Sequence, residues 1–362
     1  MNIRAVNLCA VRMTWGRARL PRGVARARWY RHAPVPSPIT FDDVLAARRR
    51  LEPHLTPTPL RSYPLLDAAV GNRVRVLVKH ENLQPTGAFK VRNGLNAILA
   101  MDEASRARGV VAASTGNHGQ GLAFAGRVTG TSVTICVPVG NNPDKNAAIR
   151  GFGATLVEEG EDYAAAVAVA DRIQRADGRT LVHSTDHAAV IAGAGTLSLE
   201  ILEQSSEVDT LVVAIGGGSQ AVGAITAASG LGRPLSIFGV QAEGASSARD
   251  SWHARRRLTA ERVNTFADGI ATRVTFDLTF ESLLWGLADF ATVTDQEIAS
   301  AMRLALSTTH TLVEPAGAAG LAALRKLAPA LAGRHVAIIF SGANVDEATL
   351  RRVLTGDLSR SA

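Results

Sequence analysis

The stretch LVVAIGGGS, residues 211–219, is the strongest indication of the fold, and the alanine-rich stretch Ala221–Ala228 follows it. Its five consecutive apolar residues predict a strand that is buried on both faces, as in a parallel sheet. The glycines leave backbone N–H groups uncovered at the start of the next helix, where an anion such as a phosphate binds well. The stretch therefore predicts a strand–loop–helix unit of an α/β fold with an anion site in its loop.

Two better-known phosphate loops do not fit this stretch. It lacks the G-x-G-x-x-G spacing of dinucleotide-binding folds, and no acidic residue follows at a strand end about 20 residues later. No Lys-Ser or Lys-Thr pair follows the glycines, so a P-loop nucleotide site is excluded. Taken alone, the segment is also compatible with a tight turn that binds no ligand.

Similar units recur along the chain, where short β-branched runs alternate with alanine-rich stretches. The predicted strands are 74–78, 110–113, 133–137, 155–157, 211–215, 237–240 and 336–340. The predicted helices include 94–101, 119–128, 163–176 and 316–331. This alternation predicts an α/β protein with mostly parallel sheets and right-handed crossovers.

Four glycine-containing segments follow predicted strands, and ligands of open parallel sheets bind beyond the carboxyl ends of strands. They are Ser114–Gln120, Gly216–Ser219, Gly239–Gly244 and Ser341–Asn344. Their shared placement predicts one cleft. The first segment carries hydroxyl, amide and imidazole groups suited to a carboxylate. A capped turn would use the same residues, and a lone histidine such as His118 is more often structural.

Lys90 has the strongest claim to chemistry. The chain has four lysines, at positions 79, 90, 145 and 326, against 35 arginines. A desolvated lysine amine can lose its proton and attack a carbonyl to form an imine, whereas an arginine stays protonated. Lys90 ends the segment ENLQPTGAFK, residues 81–90, and its setting predicts a Schiff base and hence pyridoxal phosphate. A solvated surface lysine is the alternative for this residue taken alone.

Ser341 follows the predicted strand 336–340. A hydroxyl at a strand end can hydrogen-bond an aromatic ring nitrogen without fixing a proton on it. An aspartate would instead stabilise a pyridinium, which is the stronger electron sink. Ser341 therefore favours reactions that need only a moderate sink, such as β-elimination.

Composition excludes several classes of protein. The 362 residues are 46% hydrophobic and 20% charged, which is typical of a globular protein with one large or two medium domains. No apolar run approaches the roughly 20 residues of a membrane-spanning helix. The two cysteines, Cys9 and Cys136, form no disulfide or metal pattern.

The net charge of +7 comes from the first 40 residues, which hold eight arginines and no acid. The remaining 322 residues hold 31 basic and 32 acidic side chains, a net charge of −1, so a nucleic-acid role would depend on the leader alone. A transit peptide, a basic arm or a misassigned start would each explain the leader. We expect a disordered extension over 1–40, with the folded body starting near Phe41 behind a cap at Thr40 or Asp42.

In this order, the segments resemble the fold-type II pyridoxal-phosphate enzymes, above all the threonine/serine ammonia-lyases (dehydratases) and the related serine racemases. The resemblance covers roughly residues 41–355. It is carried by Thr58-Pro59-Leu60, Lys79-x-Glu81, Gln84–Lys90, Ser114–Gln120, Gly195-Thr196 with Glu200, the glycine loop, Ala267–Gly269, Glu314-Pro315 and Ser341–Asn344. It implies a tryptophan synthase β-like fold with two open, twisted, mostly parallel sheets and flanking helices. A large cofactor domain would comprise 41–105 and 187–355, and a small inserted domain 106–186.

The resemblance also implies residue roles. Lys90 would carry the imine and then move the Cα proton, and Thr115 would be the other catalytic candidate. Phe89 would pack near the cofactor ring, Asn117 would contact its 3-hydroxyl, and Glu314 would lie beside it. The phosphate would be held by Gly216, Gly217, Gly218 and Ser219, and the ring nitrogen by Ser341. The substrate carboxylate would be bound by Ser114, Thr115, Asn117 and His118.

Departures from the family pattern refine these expectations. Thr115 stands where the racemase has a serine as its second base, and a β-branched hydroxyl rotates less freely, which favours elimination. Gln241 and Ser247 stand where metal-binding acids would be expected, so we predict no metal. The glycine loop ends in Ser219-Gln220 rather than in a glycine and an apolar residue. The chain ends about 20 residues after the Ser341 loop, so we expect no regulatory domain.

We therefore predict a cytoplasmic pyridoxal-phosphate-dependent ammonia-lyase. It would eliminate water from a β-hydroxy amino acid, L-threonine and then L-serine, and yield a 2-oxo acid and ammonia. The alternatives on the same scaffold are an amino-acid (serine) racemase and a 3-hydroxyaspartate dehydratase. From another class, a nucleic-acid or membrane-surface binder would use the leader. We expect a homodimer or homotetramer, with no nucleic-acid or membrane partner.

Overall fold

The computed structural model describes residues 35–358, so most of the predicted leader, including Cys9, lies outside the described residues. The strands are β1 (Leu60–Ser62), β2 (Arg75–Lys79), β3 (Val110–Ala113), β4 (Val133–Val137), β5 (Thr155–Glu158), β6 (Thr180–Leu181), β7 (Thr210–Ala214), β8 (Ser236–Ala242), β9 (Asp289–Val293) and β10 (His335–Ile339). The first seven helices are α1 (Phe41–Leu51), α2 (Pro64–Val70), α3 (Lys90–Leu99), α4 (Glu103–Arg108), α5 (Asn117–Thr129), α6 (Pro143–Gly151) and α7 (Tyr163–Asp177). The others are α8 (Ala188–Gln204), α9 (Ser219–Gly230), α10 (Ser247–Ala254), α11 (Asp277–Gly286), α12 (Asp295–Thr309), α13 (Pro315–Leu327) and α14 (Glu347–Thr355). Short 3-10 helices span Glu81–Leu83, Glu243–Ala245 and Asp268–Ile270.

The strands form two sheets. A six-stranded sheet has the order β1-β2-β10-β7-β8-β9, in which β1 is antiparallel to β2 and the other neighbours are parallel. A four-stranded sheet has the order β5-β4-β3-β6 and is parallel throughout. The prediction of two mostly parallel sheets with flanking helices is confirmed. The strands of the four-stranded sheet all lie between residues 110 and 181, and the division into two domains stays a prediction.

Helix boundaries follow local chemistry where caps or prolines are present. Thr40 caps α1 in a capping box with Asp43, which confirms the predicted start of the folded body. Helix α13 ends at Leu327 rather than at the predicted residue 331, because Pro329 has no N–H with which to continue the helix. The segment Gly239–Gly244, predicted at the end of the strand 237–240, lies mostly within β8, which continues to Ala242. Gly239 lies inside β8, where a Cβ would come within 2.7 Å of the Ile215 side chain.

Helix α3 begins at Lys90, before the predicted start at Gly94. Close backbone packing holds it in place on two sides. A Cβ on Gly121 of α5 would lie 2.5 Å from the carbonyl oxygen of Lys90, and a Cβ on Gly193 of α8 would lie 2.5 Å from that of Arg92. Only glycine permits such an approach, so these positions fix where the first turn of α3 lies.

A buried cluster of charges anchors the same turn. The Arg92 guanidinium donates to Glu81 at 2.7 and 2.9 Å and to Glu200 at 2.6 and 2.8 Å. The fully buried Lys79 donates to Glu200 at 2.6 Å and to the Thr58 carbonyl at 2.8 Å, and burial lowers its pKa. The cluster ties the end of β2 and helix α8 to α3. Lys79 is therefore a structural lysine.

Candidate active site

A cavity of about 560 Å³ is lined by the loops that follow β3, β6, β7 and β10. Every residue predicted for the site lines it. They are Phe89, Lys90, Ser114, Thr115, Asn117, His118, Gly216, Gly217, Gly218, Ser219, Glu314 and Ser341. Three of the four predicted glycine segments therefore meet at one cleft, as the carboxyl ends of parallel strands allow. The fourth, Gly239–Gly244, contributes no lining residue.

Lys90 occupies the first position of α3 with its amine in this cavity. Its Nζ donates to the carbonyl oxygen of Ser184 at 2.9 Å and lies 5.3 Å from the centre of the Phe89 ring. Burial lowers the pKa of Lys90 to about 8, because the charged form loses its hydration. A substantial fraction of the amine is thus neutral near physiological pH, as a nucleophile or a base requires.

The glycine loop closes tightly on its neighbours and leads into α9. Gly218 has a positive φ of 98°, a conformation that glycine adopts freely, and α9 begins at the next residue. A Cβ on Gly217 would overlap Thr185 Oγ1, and a Cβ on Gly216 would lie 2.8 Å from the Gly269 carbonyl oxygen. The loop therefore presents bare N–H groups at the start of a 12-residue helix, a cradle that fits a phosphate.

Glu314 orients the amide of Asn117. Asn117 Nδ2 donates to both carboxylate oxygens of Glu314, at 2.8 and 3.1 Å, and Asn117 Oδ1 accepts from Asn344 Nδ2 at 2.7 Å. The Asn344 backbone N–H also donates to Glu314, at 3.1 Å. Burial raises the pKa of Glu314 to about 7. Because the amide cannot flip without losing these bonds, the orientation of Asn117 in the cavity is fixed.

Ser114 and His118 shape the loop after β3. Ser114 Oγ accepts from the N–H groups of Gly119 at 2.9 Å and Gly116 at 3.3 Å. His118 is buried, and its Nε2–H donates to the Val182 carbonyl oxygen at 3.0 Å. Burial, aided by the nearby charge of Lys90, lowers the pKa of His118 to about 3. A neutral imidazole supplies no positive charge for a carboxylate, so the backbone N–H groups at the start of α5 are the better donors.

A family model described as pyridoxal-phosphate dependent enzyme matches residues 51–342 of this chain. The chain belongs to this family. It is 37% identical over 324 residues to an L-threonine ammonia-lyase of Thermotoga maritima, covering 89% of this chain and 80% of the relative. It is 36% identical over 317 residues to an L-threo-3-hydroxyaspartate ammonia-lyase of a Pseudomonas species, covering 88% and 99%.

Solved structures show the same likeness. A maize serine racemase superimposes with a TM-score of 0.83 at 32% identity, covering 88% of this enzyme and 98% of the racemase. A threonine deaminase of T.th. superimposes with a TM-score of 0.80 at 35% identity, covering 85% and 99%. The predicted fold-type II fold and the pyridoxal-phosphate cofactor are confirmed.

The enzyme also places residues in the cavity that sequence reasoning missed. Among them are Tyr163, His183 and Lys145, which forms an ion pair with Asp268. The scarcity of lysines could have pointed to Lys145. Tyr163 and His183 have no local signal, because their position depends on how β6 and α7 pack. Asn344 was noticed only as part of the Ser341 segment, although it is what holds Asn117.

The residues at the expected metal position are committed to protein hydrogen bonds. Gln241 Oε1 accepts from the N–H groups of Ala248 at 3.1 Å and Arg249 at 3.0 Å, which caps α10. Ser247 Oγ donates to the Thr272 carbonyl oxygen at 2.8 Å. Over residues 35–358, no group of three His, Cys, Asp or Glu side chains could hold a metal ion. In the same range, no helix is long and apolar enough to span a membrane.

Proposed function

We propose that this enzyme converts a β-hydroxy amino acid to a 2-oxo acid and ammonia by eliminating the β-hydroxyl as water. L-Threonine is the preferred substrate and L-serine the second. The observation that carries the proposal is the meeting of Lys90, the glycine loop and Ser341 in one cavity. The enzyme is a carbon–nitrogen lyase of the threonine dehydratase type.

The described residues fit the cofactor at each of its functional groups. Pyridoxal phosphate, when bound, supplies an aldehyde for an imine and a ring that delocalises electrons released at Cα. The N–H groups of 216–219 would hold its phosphate, and Asn117 would contact its 3-hydroxyl. Ser341, buried at the end of β10, would hydrogen-bond the ring nitrogen. A serine fits an elimination, which needs less electron withdrawal than an aspartate would provide.

Lys90 would move the proton. Its amine is lowered in pKa by burial, so it can take the Cα proton while neutral and hold it as an ammonium on the Ser184 carbonyl oxygen. The N–H groups of the loop after β3 would bind the substrate carboxylate. Thr115 lines the cavity. Among residues 35–358, no hydrogen bond joins its hydroxyl to a base, which supports a role in positioning the substrate rather than in proton transfer.

L-threo-3-Hydroxyaspartate is the third candidate substrate, after threonine and serine. A second carboxylate needs a cation, and Lys145 and Arg273 both line the cavity. Lys145 is already paired with Asp268, and Arg273 Nε donates to the Ala260 carbonyl oxygen at 3.2 Å. A neutral substrate side chain leaves the Lys145–Asp268 ion pair undisturbed, which supports threonine. Racemisation ranks lower, because Thr115 has a stiffer hydroxyl than serine.

The test is 2-oxo acid release from L-threonine, L-serine and L-threo-3-hydroxyaspartate, with chiral analysis of unreacted serine. We expect turnover of threonine above the other two and no enrichment of D-serine. Lys90→Ala should abolish the imine absorbance, and its kcat should be at least about 10³-fold lower. Normal turnover by Lys90→Ala, or inversion as the main reaction, would contradict the proposal.

We further propose a cytoplasmic homodimer or homotetramer. In it, 41–105 with 187–355 form the large domain, and 106–186 form the small one. Residues 1–34 are dispensable for catalysis in this proposal, whereas Ile39 is buried and Thr40 caps α1. Light scattering of the full chain would measure the assembly. Deletion of 1–34 should leave turnover unchanged.

A further inference from the structure

The acceptor of the Lys90 amine is a backbone carbonyl in a tightly bonded segment. Nζ lies 2.9 Å from the oxygen of Ser184. Ser184 belongs to residues 183–187, which connect β6 to α8, and residues 183–185 line the cavity beside the glycine loop. A carbonyl is a directional acceptor, so its orientation decides where the amine can rest.

His183 determines the course of this segment. Its Nδ1 accepts from two consecutive backbone N–H groups, those of Thr185 at 3.1 Å and Asp186 at 2.8 Å. The chain is thereby folded back over the Ser184 peptide. Phe276 packs against the imidazole, with ring centres 5.4 Å apart. An Nδ1 that accepts twice carries no proton, so Nε2 carries the hydrogen of the neutral ring.

Two further contacts hold the segment from outside. The Asp186 carboxylate accepts from the N–H groups of Asp277 and Leu278 at the start of α11, at 3.3 and 3.1 Å. Thr185 is buried against Gly217. The Ser184 carbonyl is thus held between fixed points. Within the turn, the His187 N–H donates to the Thr185 carbonyl oxygen at 2.7 Å, and His183 contributes the side-chain bonds.

We propose that His183 is a positioning residue for Lys90, because it aims the Ser184 carbonyl oxygen at Nζ and so orients the amine when the cofactor releases it. The proposal rests on the proposed function, in which Lys90 moves the Cα proton. A neutral amine has two N–H groups and one lone pair. When one N–H is held by a fixed carbonyl, the lone pair is confined to the remaining tetrahedral directions.

The test compares two amides of similar polarity at position 183. In His183→Asn the side-chain oxygen can occupy the place of Nδ1, one bond beyond Cγ. In His183→Gln the oxygen lies one bond further, near the place of Nε2, and cannot accept from the same two N–H groups. We expect His183→Asn to retain kcat within about threefold and His183→Gln to lose about 10- to 100-fold, with KM for threonine little changed in both.

Two readouts separate positioning from general damage. On adding pyridoxal phosphate to each apoenzyme, imine absorbance should appear at least about fivefold more slowly in His183→Gln than in His183→Asn. The deuterium isotope effect on kcat with Cα-deuterated threonine should rise in His183→Gln alone, because proton transfer becomes slower than the other steps. His187→Phe, in the same segment but outside the cavity lining, should behave as the unchanged enzyme.

Equal imine formation rates and equal kcat in the Asn and Gln variants would overturn the proposal, whether both are active or both impaired. If His183→Gln does not fold, His183→Ala takes its place. We then expect slower imine formation and a lower kcat in His183→Ala than in His183→Asn. Absence of lyase activity in the unchanged enzyme would refute the proposed function only. A slow imine formation in His183→Gln would in that case still support the positioning of Lys90.

Discussion

Gly217→Ala is the sharpest test of the glycine loop. A Cβ at position 217 would overlap Thr185 Oγ1 and lie 2.6 Å from both Thr185 Cβ and Cγ2. Real carbon atoms do not approach so closely, and Thr185 is buried, so the loop itself must move. Overpacking of this kind costs about 1–3 kcal/mol. If that strain is relieved only when the loop leaves its phosphate-binding shape, the dissociation constant for pyridoxal phosphate should rise about 5- to 150-fold.

The assay is a fluorescence titration of apoenzyme with pyridoxal phosphate, alongside kcat at saturating cofactor. Gly151→Ala is the matched control, because a Cβ there would meet nothing within 4 Å. Thr185→Gly removes all three close atoms. In the Thr185→Gly background, Gly217→Ala should therefore weaken cofactor binding much less than it does in the unchanged enzyme. Wild-type affinity in Gly217→Ala, or no recovery in the double variant, would refute this account of the loop.

Three further predictions follow from the site and its support. The rate of imine formation by apoenzyme and pyridoxal phosphate should rise with pH to a plateau, with a midpoint near 8, because only the neutral Lys90 amine attacks; a midpoint above 10 would contradict its burial. Glu81→Gln should lower the free energy of unfolding by about 3–5 kcal/mol in urea, because it breaks the buried pair with Arg92. Lys326→Ala, which removes an exposed pair, is its control. Dialysis against EDTA should leave turnover unchanged, because Gln241, at the expected metal position, is used to cap α10. Loss of activity that only Mg²⁺ or Ca²⁺ restores would contradict this prediction.

Much of the framework was predictable because its causes are local. Short β-branched runs bounded by glycine or turn residues favour buried strands, and a unit of strand, glycine loop and helix is recognised from about a dozen neighbouring residues. The same locality explains the errors. The predicted helix start at Gly94 left out Arg92 and Asn93, which are buried in α3 by contacts with distant elements. The predicted strand 237–240 stopped short of Ala242, to which β8 continues by pairing with β9.

The α/β class, the phosphate loop and the short list of lysines that could form an imine all followed from the order of residues alone. That order favoured Lys90 through its setting and its resemblance to the family, but it gave no environment for either Lys79 or Lys90. The folded structure distinguishes them through charge. Lys79 donates to the Glu200 carboxylate and the Thr58 carbonyl oxygen in a buried cluster of charges, whereas Lys90 lies in a cavity where burial alone lowers its pKa to about 8. The neutrality of His118, the orientation of Asn117 and the task of His183 likewise depend on partners that only the folded chain brings within hydrogen-bonding distance.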